Sequence, residues 1–206
     1  MLQLRVTFFD TESTNLAAAW GRIICASFAG LEGEAFTFRS DHKKWKGKNL
    51  IDDGPLCVAI RDELERADMI VGWNSILHDI PLLNARLANV GERAVKTGEK
   101  HGTWHLDAMW YSGGSSMKIG GRRLDTVAKF FGTQDQKTPL DPETWQLAGA
   151  GDKKGMDLVV RHCEADTLVV RDLFPKLAPN VKKFQFSLGE VWPFLDRIPS
   201  RIGRAA

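Results

Sequence analysis

Apolar residues dominate three short segments near the start of the chain, 4–9, 23–28 and 34–38, separated by Gly-containing turns. Runs of this length and spacing predict three strands in an antiparallel meander. The period then lengthens. Leu56, Ile60 and Leu64 recur at helical spacing and predict a helix over 56–66, before 69–73 returns as a buried strand. Ile80, Leu83 and Leu87 predict a second helix over 79–90, a strand follows at 103–106, and 107–111 reads as a short helix. A helix over 124–131 ends at Gly132, a residue type suited to a helix C-terminus. The longest helix is predicted at 157–173. Between these lie a basic loop at 42–48, a polar loop at 91–103 and a Gly/Ser-rich basic loop at 112–123. Residues 133–155, with Pro139, Pro142 and several glycines, read as an irregular connection. The order β-β-β-α-β-α with later helices predicts an α/β fold, a mixed sheet flanked by helices.

Composition narrows the class without deciding function. The 206 residues are 43% hydrophobic and 26% charged, as in an ordinary globular domain. A net charge of +2 is too small to attract a polyanion globally, so nucleic-acid binding would need local patches. Lys182, Lys183, Arg197, Arg201 and Arg204 make the tail beyond Pro179 one such patch. Cys25, Cys57 and Cys163 form no CxxC pair, which disfavours zinc. Cys25 and Cys163 fall in apolar segments and read as buried free thiols of a reducing compartment. No apolar run reaches the roughly 20 residues of a membrane span. The start of the chain has a strand pattern in place of a leader's charged and apolar regions. A cytoplasmic protein is expected.

The chemistry concentrates at acidic positions. Asp10 and Glu12 end an apolar strand, and residues two apart project from the same face. Two adjacent carboxylates repel, and a divalent cation removes the conflict; an all-oxygen donor set favours magnesium or manganese. An acidic turn after a strand would also account for this pair. Asp79 opens the helix after the strand at 69–73, where it could equally serve as a cap. His162 and Asp166, four apart in the longest helix, share one face, as a surface pair would too. An aspartate inside an apolar helix is poorly favoured by propensity and costly to bury unpaired. Trp45 among Lys43, Lys44, Lys46 and Lys48 could stack a base, or be a packed ring in a solvated loop. Lys118, Arg122 and Arg123 form a second candidate phosphate contact.

In this order the acidic motifs resemble the DEDD superfamily of 3′–5′ exonucleases. Phe8-Phe9-Asp10-Thr11-Glu12-Ser13 is similar to its first motif, and Asn74 through Asp79 with Leu82 and Leu83 to its second. His162-Cys163-Glu164-Ala165-Asp166 is similar to the third. Arg123 through Gly132 resembles the helix that precedes the third motif in proofreading and family-B polymerase exonuclease domains. The chain departs from the pattern at one place. One branch of the superfamily has Tyr four residues before the last Asp, and the other has His five before it. Here His162 stands four before Asp166, Arg161 stands five before it, and the only tyrosine is Tyr111.

The resemblance implies a ribonuclease H-like mixed β-sheet flanked by α-helices, with a 3′–5′ exonuclease domain at 1–178 and a basic C-terminal extension of the same domain at 179–206. It implies two magnesium or manganese ions. Asp10 would bridge them, Glu12 and Asp166 would complete the site of the attacking water, and Asp79 would support the second ion. His162 would be the general base, since imidazole titrates near neutral pH, with His78 a weaker choice. Backbone groups of Thr11, and Asn74, would contact the terminal nucleotides. The implied reaction is hydrolysis of single-stranded DNA, with RNA second, to nucleoside monophosphates. Association with replication or repair proteins is open. The alternatives are a nucleic-acid-binding or polymerase-associated module with little turnover, and a structure-selective endonuclease.

Overall fold

The alternation of the first strand divides the molecule into layers. Val6 and Phe8 point to one face of the sheet, where Phe174 meets Phe8 edge-on at 5.5 Å with Val169, Val170 and Leu173 around them. Phe9 points to the other face, into a cluster with Leu56, Ile60, Ile70 and Leu83. The computed structural model describes residues 5–98, 103–113, 117–133 and 140–178. The proposed basic extension at 179–206 lies outside them.

The strands are β1 (Val6–Ser13), β2 (Ile23–Ala29), β3 (Phe36–Arg39), β4 (Met69–Gly72) and β5 (Trp104–Asp107). The helices are α1 (Gly54–Leu64), α2 (Asp79–Asn89), α3 (Leu124–Phe131), α4 (Pro142–Gly149) and α5 (Lys153–Leu177). The sheet runs β3-β2-β1-β4-β5. The predicted meander is present, with β1–β2 and β2–β3 antiparallel, whereas β4 and β5 join in parallel. Helices α3 and α5 contribute to the core on one face, and α1 and α2 to the core on the other. This is the mixed α/β architecture expected of a ribonuclease H-like fold. No helix among the described residues is long and apolar enough to cross a membrane.

Three elements differ from the sequence reading. β1 does not stop before its carboxylates; it continues through them to Ser13. Its partner decides this, because β2 is buried along its whole length and pairs Asp10 with Ser27, Thr11 with Ala26 and Glu12 with Cys25. The register then slips between Glu12 and Ser13, a bulge of the kind that re-aims side chains at strand ends. The connection expected at 133–155 contains α4, with Pro142 in its first turn and the Asp141 carboxylate accepting from Thr144 N at 2.7 Å. Finally, α5 starts four residues before the expected Asp157, at Lys153, where Asp152 accepts from Gly155 N at 2.7 Å.

His105 on β5 has no room for charge. It lies 6.0 Å from the Phe9 ring and shares a 2.9 Å hydrogen bond with Ser75 Oγ. Burial pushes its pKa down to about 4. An unfolded chain binds that proton near pH 6.5, so between these values the unfolded state holds more protons and stability falls as pH drops. Measured by urea denaturation, the stability lost between pH 7 and 4 should be about 3 kcal/mol larger in the parent than in a His105→Gln variant. An NMR titration midpoint near the ordinary histidine value would overturn this account.

Candidate active site

β1 is longer than the neighbour on its parallel side. β4 pairs only with Val6, Thr7 and Phe8, so the stretch from Asp10 onward extends past the end of that ladder. A backbone N–H left there needs another acceptor. Asp79, the first residue of α2, supplies it: its Oδ1 accepts from Thr11 N at 3.1 Å and from Thr11 Oγ1 at 2.5 Å. Thr11 and Asp79 are both buried. Burial pushes the Asp79 carboxyl above its ordinary value, opposed by the Thr11 hydroxyl and the nearby His78. Asp79 is thus neither a helix cap nor remote from the first motif. Both donors of Thr11 end on Asp79, which tethers β1 to α2.

The turn that delivers Asp79 is shaped just upstream. A Cβ at Gly72 would collide with the Ser75 side chain, so the chain closes on itself only with glycine there. Asn74 follows with a left-handed φ of 62°. Asp107, at the end of β5, accepts from Asn74 N at 2.8 Å, Ile76 N at 3.2 Å and Met109 N at 3.1 Å. Burial raises the Asp107 carboxyl pKa while these donors pull it down. The sequence reading passed over Asp107, and its position directly before a short polar-capped turn was the available signal.

Asp10 and Glu12 project to the same face as Phe8, the face covered by α5. There His162 Nε2 lies 3.7 Å from Glu12 Oε1 and 3.8 Å from Asp166 Oδ2. Both His162 and Asp166 are buried, while Arg161, one residue earlier, points outward. Donor atoms of Asp10, Glu12 and Cys163 fall within 4.8 Å of one another, the one such acidic or thiol grouping among the described residues. Cys163 was expected as a buried thiol and is one, but it sits beneath the carboxylates, with Sγ 3.4 Å from the Asp10 carbonyl. Burial, then Cys25, Asp10 and Glu12, drive its pKa well upward. The carboxylate oxygens of Asp10 and Glu12 in this grouping are hard donors of the kind that magnesium and manganese take.

The other candidates divide. Trp45 is not brought to the carboxylates: it follows the edge strand β3, with its ring 4.3 Å from Phe38, 4.9 Å from His42 and 5.3 Å from Lys44 Nζ. Its ring is half-buried among these neighbours. Lys118, Arg122 and Arg123 remain exposed. Their segment crosses the end of β4, where Trp73 Nε1 donates to the Arg122 carbonyl at 3.1 Å. A missed feature is Trp145 on α4, whose ring meets His162 at 6.0 Å and 90°.

A family model described as the RNase H superfamily matches residues 7–178. The chain belongs to the RNase H superfamily. Among solved structures, this superfamily member is similar to the family B DNA polymerase from the hyperthermophilic archaeon Pyrobaculum calidifontis, with a TM-score of 0.67 and 21% identity. The match covers 86% of this chain and 25% of the polymerase, so the chain spans about a quarter of that protein's length and the likeness is one of fold. No curated protein matches it.

Asn74 separates a backbone role from a side-chain role. A left-handed conformation costs an ordinary residue about 1–2 kcal/mol, and glycine avoids the penalty. Asn74→Ala should lower unfolding stability by about 1 kcal/mol while Asn74→Gly leaves it near the parent value. Equal losses in both variants would show that the side chain, not the φ angle, holds the turn.

Proposed function

We propose that the protein is a metal-dependent 3′–5′ exonuclease acting on single-stranded nucleic acid, DNA ahead of RNA, and releasing nucleoside monophosphates. The carrying observation is the convergence of Asp10 and Glu12 from β1 with His162 and Asp166 from α5, the imidazole Nε2 lying between two carboxylates. The resemblance of the three acidic motifs to proofreading exonucleases supplies the direction of cleavage. Superfamily membership agrees with nuclease chemistry in general.

Asp10, Glu12 and Asp166 would hold magnesium or manganese, with Asp79 supporting a second ion, and such ions supply charge neutralisation at the phosphate and an acidified water. His162 lies where it can take a proton from a water placed between Glu12 and Asp166. Thr11 holds Asp79 at the start of α2, fixing the second-motif carboxylate against the first motif. Lys118, Arg122 and Arg123 are exposed on the segment over the end of β4 and are suited to phosphates of the incoming strand. Leu16 and Trp20 are 78% and 82% exposed on the connection that follows β1 and would offer apolar surface to bases.

End-labelled single-stranded DNA and RNA, incubated with manganese or magnesium and with EDTA, test the reading. Stepwise shortening from the 3′ end that EDTA stops is expected. Internal cuts would favour a structure-selective endonuclease, and binding without cleavage a module with little turnover. Asp10→Ala or Asp166→Ala should remove on the order of 10³-fold of the rate, since lost charge stabilisation of several kcal/mol counts tenfold per 1.36 kcal/mol. His162→Ala should lower kcat by about 10²–10⁴-fold with little change in KM. Parent-like kcat in His162→Ala would remove the imidazole from the mechanism.

A further inference from the structure

We infer that Trp145 is a positioning residue for His162, holding the imidazole in the orientation that faces Glu12 and Asp166. The inference rests on the nuclease reading for its consequence, but on geometry for its content. The Trp145 and His162 rings meet at 6.0 Å between centroids and 90° between planes, an edge-to-face contact. Rotation of a histidine ring about its last side-chain bond is soft and roughly two-fold. An aromatic wall on one side makes that rotation costly, because turning the ring breaks the perpendicular contact.

A wall is useful only if it does not move, and α4 is fixed from several sides. Asp141 caps its start. At its end, the buried Arg22 donates from Nη2 to the Gly149 carbonyl at 2.7 Å. Arg22 in turn is tied to the end of β1, with Thr14 N 3.0 Å from its carbonyl and its own N–H 3.1 Å from Thr14 Oγ1. Ala148 is fully buried with Ile24, Cys25, Met156, Val159, Val160 and Cys163, and Trp145 packs against the same cluster. The first turn of α5 approaches α4 so closely that a Cβ on Gly155 would lie 2.8 Å from Ala148 N and 3.0 Å from Leu147 Cβ. The strand that carries the carboxylates, the helix that carries His162 and the helix that carries Trp145 are therefore locked to one another.

Two variants distinguish ring contact from bulk. Trp145→Leu keeps an apolar side chain in the cluster but offers no ring face, whereas Trp145→Phe restores one. On single-stranded DNA with manganese, kcat should fall on the order of 10-fold in Trp145→Leu with KM nearly unchanged, and Trp145→Phe should recover most of it. In parallel, the carbon-bound ring protons of His162, shifted by the indole ring current in the parent, should move toward ordinary histidine positions in Trp145→Leu and part-way in Trp145→Phe. That NMR readout needs no activity, so a parent that cleaves nothing would end the nuclease reading while leaving the contact measurable. Unmoved His162 resonances in folded Trp145→Leu, or parent-like kcat in that variant, would overturn the positioning role.

Discussion

The arrangement depends on a length mismatch between two parallel strands. β1 continues past the last residue with which β4 pairs, and the backbone beyond that point must find acceptors that are not a strand. Asp79 satisfies the Thr11 N–H, and doing so fixes where α2 begins. The same protrusion leaves Asp10 and Glu12 at the open end of the sheet, paired to β2 on one side only. A β4 extended to match would have given Thr11 an ordinary ladder bond and left Asp79 without its partner. Asp79 is thus coupled to the carboxylate-bearing end of β1 through the main chain.

The opposite face of β1 is organised by α5. Parity along the strand sends Phe8, Asp10 and Glu12 to one side, so the strand changes from apolar to acidic without changing face. Phe8 is anchored against Phe174 near the end of α5, and one strand residue pair later the helix presents Asp166 and His162 to the carboxylates. Core packing therefore sets the register between strand and helix. Cys163 reinforces it from within, lying fully buried beneath Asp10 with its thiol directed to the main-chain carbonyl.

Local patterns made much of this legible. The meander, the strand at Met69–Gly72 and the helix carrying Asp79 follow from periodicity, and the acidic motifs followed from spacing and resemblance. Three things did not. The polar run from Asp10 to Ser13 resembles a turn, and only the buried partner strand makes it extended. Helix α4 is eight residues long with two buried positions, so its periodic signal is weak; the Asp141-Pro142 start was its one clear mark. Contacts such as Thr11 with Asp79 and Trp145 with His162 join segments whose proximity depends on the whole fold. A run of lysines, likewise, says nothing about whether the aromatic among them has a packing partner, as Trp45 has in Phe38.

The helix also bears on the departure at the third motif. An α-helix turns about 100° per residue, so positions four apart differ by about 40° around the axis and positions five apart by about 140°. α5 is continuous from Lys153 to Leu177, with no break between 161 and 166. On such a helix the residue four before Asp166 must share its face and the residue five before must not, as the buried His162 and exposed Arg161 illustrate. Backbone geometry thus selects the position, and the residue type at that position is left to chemistry. An imidazole there reaches both Glu12 and Asp166 at nearly equal distance. A histidine at position 161 would lie about 140° around the continuous helix from Asp166, away from the face that His162 shares with it.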